Sequence, residues 1–169
     1  LEKRLENSIF IEHEFVGKIA GWCRHQFIVA DRDAKGHILH VIYTVEIINE
    51  AKKRENHLRY LAQTDMLTGL NNRGSGEQKV KELLQQGQPG ALALIDCDRF
   101  KSINDTYGHM VVDQVLIALA EAIANGIHKG DIALRLGGDE FAIYMINITD
   151  KESAREHIQH VFDEVNKIH

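Results

Sequence analysis

Four carboxylates in two places carry the most chemistry this sequence offers. Asp96 and Asp98 close an apolar run, and Asp139 and Glu140 follow Gly137-Gly138. Grouped carboxylates hold hard cations, and an all-oxygen ligand set favours Mg²⁺ or Mn²⁺ over zinc. A Gly-Gly between two apolar runs signals a tight hairpin, because glycine takes positive φ there without strain. The two acids then stand exposed on its tip. The same residues also make an ordinary solvated turn, and an Asp after a strand also caps helices. What decides between these readings is whether the fold brings the two pairs together.

The elements that would do so follow from pattern. Ala91-Leu92-Ala93-Leu94-Ile95 is continuously apolar, as in a strand buried between layers. The carboxyl end of such a strand is a usual place for a ligand. Phe100–Thr106 suits a short helix, Tyr107-Gly108-His109 a turn, and Val111–Ile127 a second helix. Its stripe is Val112, Val115, Leu116, Leu119 and Ile123, and Asp113 lies off it near the N-terminus, free to face a ligand or the helix dipole. Asp131–Leu136 and Asp139–Ile148 are strands, and Lys151–Ile168 is a final amphipathic helix. The order β, α, α, β, β, α makes the first two strands parallel through a right-handed crossover. A ferredoxin-like arrangement slots the third between them, antiparallel to both. Asp96 and Asp98 then lie near Asp139 and Glu140, where four like charges repel unless a divalent cation joins them. Topology points to a metal and a phosphate.

Upstream, Ser8–Val16, Gly21–Asp31 and Gly36–Val45 read as three strands, the last two a hairpin through the polar turn Asp31–Gly36. Three antiparallel strands with little else cannot close a core. With the chain opening on Leu1 rather than Met, we expect a fragment. Residues 46–63 turn helical, and Ile47, Ala51, Arg54, Leu58 and Leu61 follow a 4-3-4-3 spacing. That is either a coiled-coil seam needing a partner chain or a solvated connecting helix, since an isolated helix of this length is marginal. Thr64–Arg73 breaks the helix, Gly74–Gln86 resumes it, and Gly87-Gln88-Pro89-Gly90 is a turn.

Charge narrows the partners. Residues 1–63 carry 10 basic and 9 acidic side chains, and residues 64–169 carry 10 and 16, within a chain of net charge −5. An acidic C-terminal part argues against a nucleic-acid polymer, but not against one nucleotide held through a metal. No apolar run of about 18 residues predicts a membrane contact in this segment. Cys23 and Cys97 are far apart with no metal spacing, so we expect a reduced, cytoplasmic setting, in a parent that is soluble or membrane-attached.

Three motifs converge on one family. Asp65-x-Leu67-Thr68-Gly69-Leu70-x-Asn72-Arg73, Asp96-x-Asp98-x-Phe100-Lys101-x-Ile103-Asn104-Asp105-x-Tyr107-Gly108-His109 and Arg135-Leu136-Gly137-Gly138-Asp139-Glu140-Phe141 resemble the GGDEF family of diguanylate cyclases over residues 64–169. The resemblance implies an α+β, nucleotidyl-cyclase-like fold with flanking helices. It implies Asp96, the Cys97 carbonyl and Asp139 as Mg²⁺ (or Mn²⁺) ligands, with Glu140 a further ligand or the base on the attacking hydroxyl. Asp139 and Glu140 would be the catalytic pair. Asn104 and Asp113 would bind the guanine edge, and Phe100, Lys101, His109, Gly137 and Gly138 would complete the GTP site. Two GTP molecules would form cyclic di-GMP and release pyrophosphate, in a homodimer joined through the linker helix with its GGDEF domains face to face. Trp22-Cys23-Arg24, the Asp31–Gly36 turn and Val41–Ile47 resemble the C-terminal half of a PAS sensor domain, giving three parts: 1–45, a 46–63 linker helix, and 64–169.

Three departures stand out. The family continues past the last helix with a strand, a helix and phosphate-binding basic residues, so an edge flanking the first strand is expected to be bare, lowering stability or inviting intermolecular pairing. His128-Lys129-Gly130-Asp131 stands where many members carry an inhibitory Arg-x-x-Asp, so product inhibition through His128 and Asp131 is expected to be weak or absent. Val112 replaces a usual Gly, and either crowds the nucleotide or extends the helix's apolar stripe. The other functions to weigh are a non-catalytic GGDEF-like module that binds GTP or regulates by dimerising, and an interaction fragment with no nucleotide.

Overall fold

A computed structural model describes residues 2–5, 8–16, 20–98 and 100–168. The chain forms two compact units, Leu1–Arg59 and Tyr60–His169. Among the described residues, no helix is long and apolar enough to cross a membrane.

The first unit is an antiparallel sheet of β1 (Glu2–Leu5), β2 (Ser8–Phe15), β3 (Gly21–Arg32) and β4 (Ile38–Ile47), in that order, leading into α1 (Asn49–Gln63). Four strands replace the expected three. Glu-Lys-Arg-Leu has no strand composition, and β1 exists through its pairing with β2. β4 also runs to Ile47, so the helix starts at Asn49 rather than at 46, and Ile47 is a strand residue rather than part of a helical seam. α1 has no buried residue, and Leu58 and Leu61 are exposed. Its start is fixed by β3: the Ile48 N–H donates to the Trp22 carbonyl (2.9 Å), and the Asn49 side-chain oxygen accepts the Trp22 N–H (2.5 Å).

The second unit contains β5 (Asn71–Asn72), α2 (Arg73–Gln85), β6 (Gly90–Ile95), α3 (Phe100–Tyr107), α4 (His109–Gly126), β7 (Ile132–Gly137), β8 (Glu140–Ile146) and α5 (Lys151–Val165). The sheet order is β5-β7-β8-β6, with β8 antiparallel to both neighbours, so the third strand of the ferredoxin-like order does lie between the first two. β5 adds a short parallel pairing to β7. The fold is α+β. Phe141, Ile143 and Met145 of β8 meet Val112, Leu116, Leu119 and Ile123 of α4 and Val161 of α5 in one core. Gly126 allows the closest part of this packing, since a Cβ there would sit 2.5 Å from the Val161 Cα.

Several expectations change. β8, not β6, is the strand buried on both sides; Leu92 and Leu94 of β6 are 60% and 71% exposed, because β6 is an edge strand and nothing described covers that face. α4 starts at His109 rather than Val111, just after Gly108 at φ +78°. Val115, assigned to the stripe, is exposed, whereas Val112 is buried in the core and extends the stripe.

Candidate functional site

Strand register builds the site. Ile95 pairs with Phe141, so the residues following β6 emerge beside those that open β8. The Asp96-Cys97-Asp98 segment and the β7–β8 turn therefore share one end of the sheet. Asp96, Asp98 and Glu140 are exposed, and Cys97 and Asp139 are half-buried. The Cys97 thiol lies in the field of three of these carboxylates. Burial pushes its pKa up, and the negative fields of Asp139, Asp96 and Asp98 push it further. The Cys97 carbonyl accepts the Phe100 N–H at 3.3 Å, which leaves a second lone pair. Among the described residues, no three of these carboxylates bring their oxygens within 4.8 Å of one another, so the set is gathered but loose. Exposed carboxylates beside a carbonyl are a donor set that suits a hard divalent cation.

The turn itself is the two-residue loop Gly138-Asp139, one residue later than the Gly-Gly spacing suggests. Gly137 ends β7, and Glu140 opposite it opens β8, so Asp139 alone stands on the tip. Gly137 and Gly138 have φ of +147° and +56°, and a Cβ on either would meet nothing within 4 Å, so backbone conformation rather than space demands glycine. Arg135 fixes this shape. Its Nε and Nη2 donate to the Gly138 carbonyl (3.0 and 2.6 Å), and its Nη1 donates to Asp65 at 3.1 Å. Asp65 also accepts the Thr68 N–H and hydroxyl (2.9 and 2.7 Å). Burial raises the Asp65 pKa, but the Thr68 hydrogen bonds and then Arg135 outweigh it and hold the carboxyl below its ordinary range. Asp65 and Arg135 belong to the quoted motifs, yet no role for them is readable from sequence, because they are 70 residues apart.

The remaining residues line the helices beside this end. Phe100 packs against the core, whereas Lys101, His109 and Asp113 are exposed. Asn104 is half-buried, and its side-chain oxygen, itself shielded from solvent, has no hydrogen-bond partner among the described residues. Such an oxygen is costly unless something donates to it. His128 and Asp131 lie elsewhere. The Asp131 side chain is fully buried and accepts the His128 N–H (2.8 Å), the Ile146 N–H (3.0 Å) and His157 Nε2 (2.5 Å), while the His128 ring packs on His157. That carboxylate joins β8 and α5 and is not offered to solvent.

Comparison with known proteins bears on the family and the fold. Residues 62–169 match the family model described as "Diguanylate cyclase, GGDEF domain". The chain is 39% identical over 137 residues to the diguanylate cyclase DgcM of Escherichia coli (strain K12), covering 78% of this chain and 33% of that protein. The coiled coil and GGDEF domain of DgcB from Caulobacter crescentus, solved in complex with c-di-GMP, superposes with a TM-score of 0.59 at 28% identity, covering 68% of this chain and 61% of that one. The diguanylate cyclase SiaD from Pseudomonas aeruginosa, solved with its activator SiaC, gives 0.57 at 30% identity, covering 70% and 46%. The chain thus spans a third or less of the curated relatives it matches.

Proposed function

Because this chain belongs to the GGDEF family of diguanylate cyclases, we propose that it condenses two GTP molecules into cyclic di-GMP. The observation that carries the reading is the strand register, which brings the Asp96-Cys97-Asp98 segment and the Asp139 turn to one end of the sheet. In the proposed site, Asp96, the Cys97 carbonyl and Asp139 hold Mg²⁺ or Mn²⁺, which when bound offsets the charge developing on the phosphate. Asn104 and Asp113 read the guanine edge, a role the unpartnered Asn104 oxygen supports. Phe100, Lys101, His109, Gly137 and Gly138 complete the nucleotide site.

Each 3′-hydroxyl attacks the α-phosphate of the other GTP. A P–O bond forms, the bond to the β-phosphate breaks, pyrophosphate leaves, and Glu140 takes the hydroxyl proton. The reaction then depends mainly on alignment of two nucleotides. Each domain holds one, so the working unit is a homodimer, for which the exposed Leu58 and Leu61 of α1 provide an apolar seam. Residues 1–45 act as the C-terminal part of a PAS-like sensor, a reading supported by the antiparallel sheet running into α1. The setting is cytoplasmic.

The test is incubation of the protein with GTP and Mg²⁺, with products separated by chromatography. Cyclic di-GMP is expected from it and none from its Asp139→Ala variant. GTP binding without product from the folded, dimeric protein would make the domain a non-catalytic module instead.

A further inference from the structure

Three side chains meet on the sheet of the first unit that the carboxylate site does not use. Cys23 lies opposite His13 across β2 and β3, and His25 follows two residues later on the same face. The Cys23 sulfur is 3.2 Å from His25 Nε2 and 3.6 Å from His13 Nε2, and the two imidazoles stack at 4.8 Å, 12° from parallel. Among the described residues this is the group of three metal-ligating side chains whose donor atoms all lie within 4.8 Å of one another. A thiol is a weak donor and a weak acceptor, so hydrogen bonds alone hold these three groups together only weakly. We propose that His13, Cys23 and His25 form a three-ligand site for a borderline-soft divalent transition ion, with Zn²⁺ the ion they fit best.

Dimensions and surroundings support this. Bonds of about 2.3 Å to sulfur and about 2.0–2.1 Å to nitrogen set the sulfur–nitrogen edges of a tetrahedron at roughly 3.5 Å. The two sulfur–nitrogen distances bracket that value, and the stacked rings would turn to aim both nitrogens at one ion. Tyr43 holds His25 Nδ1 through its hydroxyl at 2.5 Å, turning Nε2 toward the sulfur; outer-shell partners orient ligating histidines in this way. Cys23 is buried at the base, His13 is exposed, and Ile11, Phe27 and Val45, themselves exposed, flank the cluster on the same face. Three protein ligands leave a fourth position open for water or an exogenous donor. Nitrogen and thiolate ligands disfavour Mg²⁺, so the ions of the two sites sort by hardness. The residue before Cys23 is Trp22, which anchors the start of α1.

The experiment is titration of the metal-stripped 169-residue chain with Co²⁺, followed by Zn²⁺. One equivalent of Co²⁺ should bind with a thiolate-to-metal charge-transfer absorption, resist excess Mg²⁺, and be displaced by Zn²⁺. Cys23→Ser should lose the absorption and Cys97→Ser should keep it. His13→Gln, at an exposed position, and Tyr43→Phe should each weaken Zn²⁺ binding by about 10- to 100-fold with unchanged circular dichroism. No thiolate absorption in the parent chain, absorption that survives Cys23→Ser, or unchanged affinity in His13→Gln would each overturn the assignment.

Discussion

Arg135→Ala isolates what holds the Gly138-Asp139 turn in shape. The substitution removes one bond to Asp65 and two to the single Gly138 carbonyl. A surface ion pair would contribute only about 0–1 kcal/mol, but the two side chains are just 12% and 25% exposed. A hydrogen bond to a charged group contributes about 1.5–3 kcal/mol. The paired bonds to one carbonyl add roughly one more neutral-acceptor bond, about 1 kcal/mol. Asp65 keeps both Thr68 bonds, so the cost stays below the roughly 3–5 kcal/mol of breaking a fully buried pair. The expected loss is about 2.5–3 kcal/mol, or roughly 70- to 150-fold in the opening equilibrium. Native-state hydrogen exchange at the amides of Phe141–Met145 reads it locally, without interference from the other unit. The pH dependence supplies a second check. Asp65 has a depressed folded pKa, so its contribution is complete above the unfolded value of about 3.9 and fades as pH falls through the lower folded value. The difference between parent and variant should therefore be constant near neutrality and shrink in that acid window. A loss under about 0.5 kcal/mol, or an Arg135→Lys variant as stable as the parent, would refute the clamp, because one ammonium cannot reproduce the guanidinium's fork.

Three more outcomes follow from other contacts. Gly126→Ala should destabilise the second unit by about 1–3 kcal/mol in urea denaturation, since its Cβ meets backbone of α5 rather than a side chain free to turn aside. Alkylation of Cys97, followed in a Cys23→Ser background, should reach half-maximal rate at a higher pH than a free cysteine, and Asp139→Asn should move it down by removing one field while leaving burial in place. Asn104→Ala should weaken GTP binding by about tenfold in calorimetry with little change in thermal midpoint, because its oxygen has no partner to lose among the described residues.

The order of the second unit was legible because its signals are local and strong. Apolar periodicity marks α4, glycine punctuates the turns, and right-handed crossovers leave few topologies in which β8 could sit elsewhere. The site's location followed, since Ile95 and Phe141 must pair in that topology. What stayed hidden depends on neighbours. Ala91–Ile95 is equally apolar whether or not a layer covers Leu92 and Leu94. Asn71-Asn72 is a strand only by its pairing with β7. The bonds from His157 to Asp131 and from Arg135 to Asp65 join positions 26 and 70 residues apart. The His13–Cys23–His25 cluster left half a trace: Cys-x-His on a strand puts two donors on one face, but the third comes from the neighbouring strand, and counting cysteines alone passes over it.

The grip of Arg135 on the Gly138 carbonyl also sets a direction. A trans peptide is planar, so its C=O and the N–H of the next residue point opposite ways. With the Gly138 oxygen turned toward the guanidinium, the Asp139 N–H is turned away from it. A cation behind the turn thus orients a fixed dipole at its front, with the positive end outward. The turn therefore carries a backbone donor of fixed direction on a residue whose own side chain is negative.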